Sequence, residues 1–178
     1  MRRIVLTFGL IAGLMLSAML VITMQFQDRI GYDQGATIGY TTMVLAFLMV
    51  YFGVRSYRDN VAGGAISFGR AFKVGALISL VATVCYVATW EVVYYNFAPD
   101  FGEKYAAHAI EKARASGASE ADIAAQTKKM ADFQRMYRNP VVNIAITMLE
   151  PLPVALVFTL VTAGVLSRKR RSASPAPA

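Results

Sequence analysis

The sequence predicts an all-α integral membrane protein of four transmembrane helices, with a helical hairpin inserted between spans three and four. Hydrophobic residues make up 56% of the chain and charged residues 16%, more apolar surface than a soluble interior absorbs. The apolar residues gather in four stretches of roughly 20, the length at which a helix crosses hydrocarbon while satisfying its own amides. Charge alternates between successive connections.

Residues 4–24 form the first span and carry no ionisable side chain. Met1-Arg2-Arg3 ahead of them resembles the start of a secretory leader. The apolar run, however, is about 21 residues against the roughly 7–15 of a leader core, and no small-x-small cleavage site follows, so an uncleaved helix is expected. Gly9, Gly13 and Ser17 recur every fourth residue and predict a seam where helix backbones approach closely. The second span, residues 36–54, places Tyr40 and Tyr51 as interface aromatics. The third, residues 71–97, ends in Trp90, Tyr94 and Tyr95 and repeats the small-residue spacing at Gly75, Ser79 and Thr83. Cys85 lies inside this apolar run and is the sole cysteine, which excludes an internal disulfide and a cysteine-rich metal site.

Residues 98–140 are too polar to insert. They read as two short helices broken at Ser116-Gly117-Ala118, the second capped by Ser119 with Asp122. Ile123, Met130, Phe133 and Tyr137 keep a helical period, so one face packs on the first helix, the bundle or headgroups. His108 and Glu111 form an i, i+3 pair that two metal ligands use, but zinc sites take three or four ligands and no His-Glu-x-x-His run exists. Neither a metal nor another cofactor is expected.

The fourth span, residues 141–166, contains Glu150, Pro151 and Pro153, and residues 168–178 form a basic tail expected to be disordered. Arg2, Arg3, Arg55, Arg58, Arg70, Lys73, Arg168, Lys169, Arg170 and Arg171 share one side of the membrane with a single acid, Asp59; the other side holds eight basic and eight acidic residues. This asymmetry predicts both termini in the cytoplasm and the hairpin on the opposite face. The net charge of +7 therefore follows the membrane rather than nucleic acid. Arg168, Lys169, Arg170 and Arg171 are expected against anionic headgroups.

A carboxylate at membrane depth costs a few kcal/mol unless it is paired, neutralised or hydrated, which singles out Glu91 and Glu150. At 1.5 Å per residue they lie about 9 and 13 Å from the hairpin-side face, within mutual reach if spans three and four are neighbours. Asn143, Thr147 and Glu150 recur at i, i+4, i+7 and predict a polar stripe facing the bundle or a wet cavity. A structural reading has protonated Glu150 donating to a carbonyl freed by Pro151 or Pro153; a functional one has the two acids binding a cation or passing protons.

The stretch Tyr57-Arg58-Asp59 through Ile66-Ser67-Phe68-Gly69-Arg70-Ala71-Phe72-Lys73-Val74-Gly75 resembles the signature of an uncharacterised bacterial membrane family, domain of unknown function 4199. Asn139-Pro140, Glu150-Pro151-Leu152-Pro153 and the basic end from Arg168 to Arg171 resemble it too. The resemblance implies a four-helix protein of the bacterial cytoplasmic membrane with a helical insertion, and it supplies no activity. Within the signature, Ser67 is placed to cap span three, and Arg70 and Lys73 to reach lipid phosphates.

Two functions are expected from this pattern. One is a non-enzymatic protein of the bacterial inner membrane that acts by association with lipid, a second copy of itself or another membrane protein. The other is a small proton- or ion-coupled transporter component using Glu91 and Glu150. The sequence holds no nucleophile–base set or phosphate-binding loop that would make it an enzyme.

Overall fold

Four helices that are long and apolar enough to cross a bilayer, broken only where the sequence supplies prolines, dominate the chain. The computed structural model describes residues 1–167; Arg168, Lys169, Arg170, Arg171 and the expected tail lie outside them. The helices are α1 (Arg2–Gln25), α2 (Gln27–Ile30), α3 (Tyr32–Asn60), α4 (Phe68–Asn96), α5 (Phe101–Ala115), α6 (Glu120–Tyr137), α7 (Pro140–Leu149) and α8 (Leu152–Leu166). No strand occurs among the described residues, so the chain is all-α. Helices α1, α3 and α4 and the α7–α8 pair are the four spans. They extend past the apolar stretches because helical hydrogen bonding is not confined to hydrocarbon, and α2 is a short turn of helix not anticipated from the sequence.

Helices α3 and α4 form the central pair, and each packs on both α1 and α8. Met43, Ala46, Phe47, Val50 and Val54 of α3 meet Ala71, Val74, Ile78 and Ala82 of α4 in a fully buried core. Their spacing is the three-to-four-residue period that keeps one helix face turned inward. Leu14, Val84, Val157 and Val161 lie on the outer surface, as a lipid-facing bundle requires.

Helices α1 and α4 run in the same direction. A Cβ on Gly9 would stand 2.7 Å from Val81 Cβ, and one on Gly13 would stand 2.6 Å from Cys85 Cβ. Ser17 follows, donating to the Cys85 carbonyl at 3.3 Å and accepting from Thr89 Oγ1 at 2.8 Å. The small residues of α4 turn elsewhere. A Cβ on Gly75 would meet Thr159 Cγ2 at 3.1 Å, and the Ser79 and Thr159 hydroxyls share a hydrogen bond of 3.3 Å. The stripe of α1 thus meets α4, and that of α4 faces α8 and, at Gly75, also Val50 of α3 at 3.1 Å; Thr83 is buried as well. Gly53 of α3, which the spacing did not single out, sits closest of all, its Cβ position 2.5 Å from Ile78 Cδ1.

At the end of the bundle that carries Arg2, Arg3, Arg55 and Arg58, α3 turns into α4 through Gly63 and Gly64, whose φ angles of 69° and 86° favour glycine. Ser67 takes the extended backbone of an N-cap, but its side chain makes no capping hydrogen bond. This corrects the capping role expected for it. The residue is exposed, so its hydroxyl and the first amides of α4 are not forced to pair with each other. Arg70 and Lys73 are exposed on the first turns of α4.

At the opposite end, α5 and α6 pack together as a hairpin that reverses at Gly117, φ 81°. The Ser119 Oγ accepts from the Asp122 amide at 3.2 Å and caps α6 as its sequence position implies. Ile123 is buried, Met130 and Tyr137 are half-buried and Phe133 is exposed.

Candidate binding cavity beneath the hairpin

Pro151 and Pro153 bring no amide hydrogens to span four, so α7 ends at Leu149 and α8 starts at Leu152. Helix α8 packs on α3 and α4, whereas α7 packs on α4 and α6. The break therefore leaves the hairpin-side half of α3 without a packed neighbour on that flank. A cavity of about 450 Å³ occupies the space. Leu16 and Met43 reach it from the core, Thr23 and Met24 from α1, and Tyr32, Gly39 and Tyr40 from α3. Helix α4 contributes Tyr86 and Trp90, one turn apart on one face, α7 contributes Thr147, and the α7–α8 break contributes Glu150. Phe101 and Tyr105 of α5 and Tyr137 of α6 roof it.

Glu150 stands at the helix break, exposed on the rim of the cavity. Its Oε2 accepts from the Tyr86 hydroxyl at 2.8 Å. The expected bond from Glu150 to a freed carbonyl of its own helix is not formed; the carboxyl reaches across to α4 instead.

A second polar chain lies beside it. Trp90 Nε1 donates to the Tyr137 hydroxyl at 2.8 Å, Tyr137 and Thr147 share a bond of 3.1 Å, and Thr147 donates to Asn143 Oδ1 at 3.2 Å. A hydroxyl has one hydrogen, and that of Thr147 goes to Asn143, so Tyr137 donates to Thr147. Burial raises the pKa of the Tyr137 phenol, which keeps its proton in place. The chain links the roof to two spans through side chains that are otherwise apolar or buried. Asn143 is fully buried and its Nδ2 has no hydrogen-bond partner.

Of the residues singled out from the sequence, Thr147 and Glu150 line the cavity and Asn143 lies behind them. Glu91 is not brought to it. It lies five residues beyond Tyr86, about 7.5 Å along α4 and about 140° around it. Its Oε1 is buried without a hydrogen-bond partner. Helices α4 and α7 are neighbours, as the reach argument required, but Glu150 is level with Tyr86 and not with Glu91.

The roof is fastened to α3 by charge and by rings. Lys112 Nζ lies 2.8 and 2.7 Å from the two carboxylate oxygens of Asp33. His108 Nε2 is 4.0 Å from Asp33 and its ring packs on Tyr32, with centroids 5.1 Å apart. His108 thus faces Asp33, and no group of three or more His, Cys, Asp or Glu side chains suited to a metal occurs among the described residues. Tyr32 also packs on Phe101 and Tyr105, and Phe101 on Trp90, making one aromatic layer between hairpin and spans.

Tyr86, Trp90, Tyr137 and Gly39 complete the cavity, and the sequence reading assigned them no part in a site. The i, i+4 spacing of Tyr86 and Trp90 was a usable signal, since a tyrosine deep in a span needs a partner for its hydroxyl. No curated protein and no solved structure shows a significant match to this chain. The family described as "Protein of unknown function (DUF4199)" matches residues 7–168, and the chain belongs to that family.

Proposed function

We propose that this chain is a non-enzymatic protein of the bacterial cytoplasmic membrane, with both termini in the cytoplasm, that acts by holding a membrane-borne partner molecule in the cavity beneath its hairpin. The excess of basic residues at the end opposite the hairpin supports the orientation. The cavity supports association: its volume is that of a small-molecule site and its walls are mostly apolar with a few polar groups. The small-residue seams are spent on contacts within the chain, which removes them as surfaces for a second copy.

One observation carries the choice over ion-coupled transport. Glu150 is paired with Tyr86, while Glu91 lies off the cavity, so the two acids expected to make a proton path do not share a site. Reconstituted into liposomes, the wild-type protein is expected to add no proton or cation flux over protein-free vesicles. A flux that the wild type carries and Glu150→Gln loses would establish the transport reading instead. For the orientation, Ala118→Cys should react with an impermeant maleimide on intact cells, and Ala65→Cys only after permeabilisation, both in a Cys85→Ala background. Reaction of both from the same side would reverse the conclusion.

A further inference from the structure

We propose that the occupant of the cavity is a lipophilic cation: a bulky apolar ammonium or similar onium ion that enters from the bilayer between α3 and α7. The inference rests on the association reading above and names its ligand class.

Charge and wall chemistry select the ligand. Among the described residues, Glu150 is the one charged side chain lining the cavity, and no lysine, arginine or histidine lines it. A single carboxylate in an otherwise uncharged, largely apolar enclosure attracts a monocation and repels phosphate- or carboxylate-bearing molecules. Tyr86 fixes the carboxyl by one hydrogen bond to Oε2, the one side-chain bond Glu150 makes among the described residues. Around it stand the rings of Tyr40, Tyr86, Trp90 and Tyr137, whose faces stabilise a positive charge from which water has been stripped. Metal ions are poorly served here, since one carboxylate and scattered hydroxyls do not replace a hydration shell. An onium ion carries no tightly held shell and fits an aromatic enclosure.

The route follows from the break in span four. Helix α3 packs along α8, and α7 packs on α4 and α6, so the hairpin-side flank between α3 and α7 is at most thinly closed by helix contact. Ala36, Tyr40 and Glu150 are exposed along that flank and line the cavity at the same time. The other approach, from the aqueous end, is roofed by Phe101, Tyr105 and Tyr137 and fastened by Lys112 to Asp33. A ligand partitioned into the membrane therefore meets the open flank, with its charge level with Glu150.

Trp90 is the only tryptophan in the chain and lines the cavity, so its emission reports occupancy directly. The full-length protein in lipid nanodiscs is titrated with tetraphenylphosphonium and, separately, with tetraphenylborate, an ion of the same shape and opposite charge. A saturable change in Trp90 emission with the phosphonium alone is expected. Glu150→Gln should weaken it by roughly tenfold, the equivalent of one lost ion pair at the cavity rim. Gly39→Phe supplies a second variant, because Gly39 lines the cavity and a Cβ there has no neighbour within 4 Å. It should abolish the response while leaving thermal unfolding in detergent unchanged. Equal saturable responses to both ions, blocked by Gly39→Phe, would overturn the cation assignment and leave association standing. No saturable response to either ion would overturn both, and phosphonium binding unaffected by Glu150→Gln would overturn the assignment of the carboxylate.

Discussion

Gly9, Gly13 and Gly53 are consumed by helix contact within the bundle, whereas Gly39 at the hairpin end lines a cavity. The hypothetical Cβ atoms of Gly9, Gly13 and Gly53 would stand 2.7, 2.6 and 2.5 Å from atoms of neighbouring helices, and that of Gly39 meets nothing within 4 Å. Lipid offers no hydrophobic force to bring helices together, so association depends on close van der Waals packing and interhelical hydrogen bonds. The two regions use these differently. Gly9 and Gly13 bring α1 directly against α4, while around the cavity the helices are held apart by rings and bridged by hydroxyls, from Tyr86 to Glu150 and through Tyr137 to Thr147. Stability concentrated in one half leaves the other free to keep a space open.

The largest effect should come from the tightest backbone approach. Gly13→Ala sets a methyl group 2.6 Å from Cys85 Cβ, an atom fixed to the α4 backbone that cannot swing away. Helices α1 and α4 must separate, at a cost of about 2 kcal/mol, read as a lower midpoint on titration with dodecyl sulfate. Gly53→Ala should cost less, because its nearest neighbour is the flexible end of Ile78. Gly39→Ala, in the cavity wall, should leave the midpoint where it is. Equal losses at Gly13 and Gly39 would erase the distinction between the two halves.

What the sequence disclosed follows the same division. The spans were legible because hydrocarbon imposes a length and an apolar composition on any helix that crosses it, and the reversal at Gly117 and cap at Ser119 were legible because turn chemistry is local. Small-residue spacing carries no information about which helix a stripe meets. The α1 stripe meets Val81, Cys85 and Thr89, ordinary residues with no pattern of their own. Glu150 stood out as an acid at membrane depth, yet Glu91 looked equally eligible, since depth is countable along a helix and the direction a side chain faces is set by its neighbours. Tyr86 went unremarked inside its span and Tyr137 read only as part of an apolar helix face, because only tertiary packing turns a tyrosine hydroxyl into a link between helices. Ser67 erred the other way: its position satisfied a local rule that exposure made unnecessary.

A smaller effect, and a sharper test of the division, is expected from Tyr137→Phe. The substitution keeps the ring that packs on Phe133 and Tyr94 and deletes the one hydroxyl that accepts from Trp90 and donates to Thr147. Hydrogen bonds between membrane helices contribute modestly, so the global loss should be about 1 kcal/mol, below that of Gly13→Ala. The local consequence differs in kind. With the Trp90 indole hydrogen unpaired and α6 released from α7, the hairpin should be cut faster by protease at Ser116-Gly117-Ala118, and Trp90 emission should shift. Gly13→Ala, acting on the α1–α4 seam, should change neither. If Tyr137→Phe instead lowered the unfolding midpoint as far as Gly13→Ala with no faster cleavage, the hairpin would belong to the same cooperative unit as the packed half, and the cavity beneath it would owe its shape to the whole bundle.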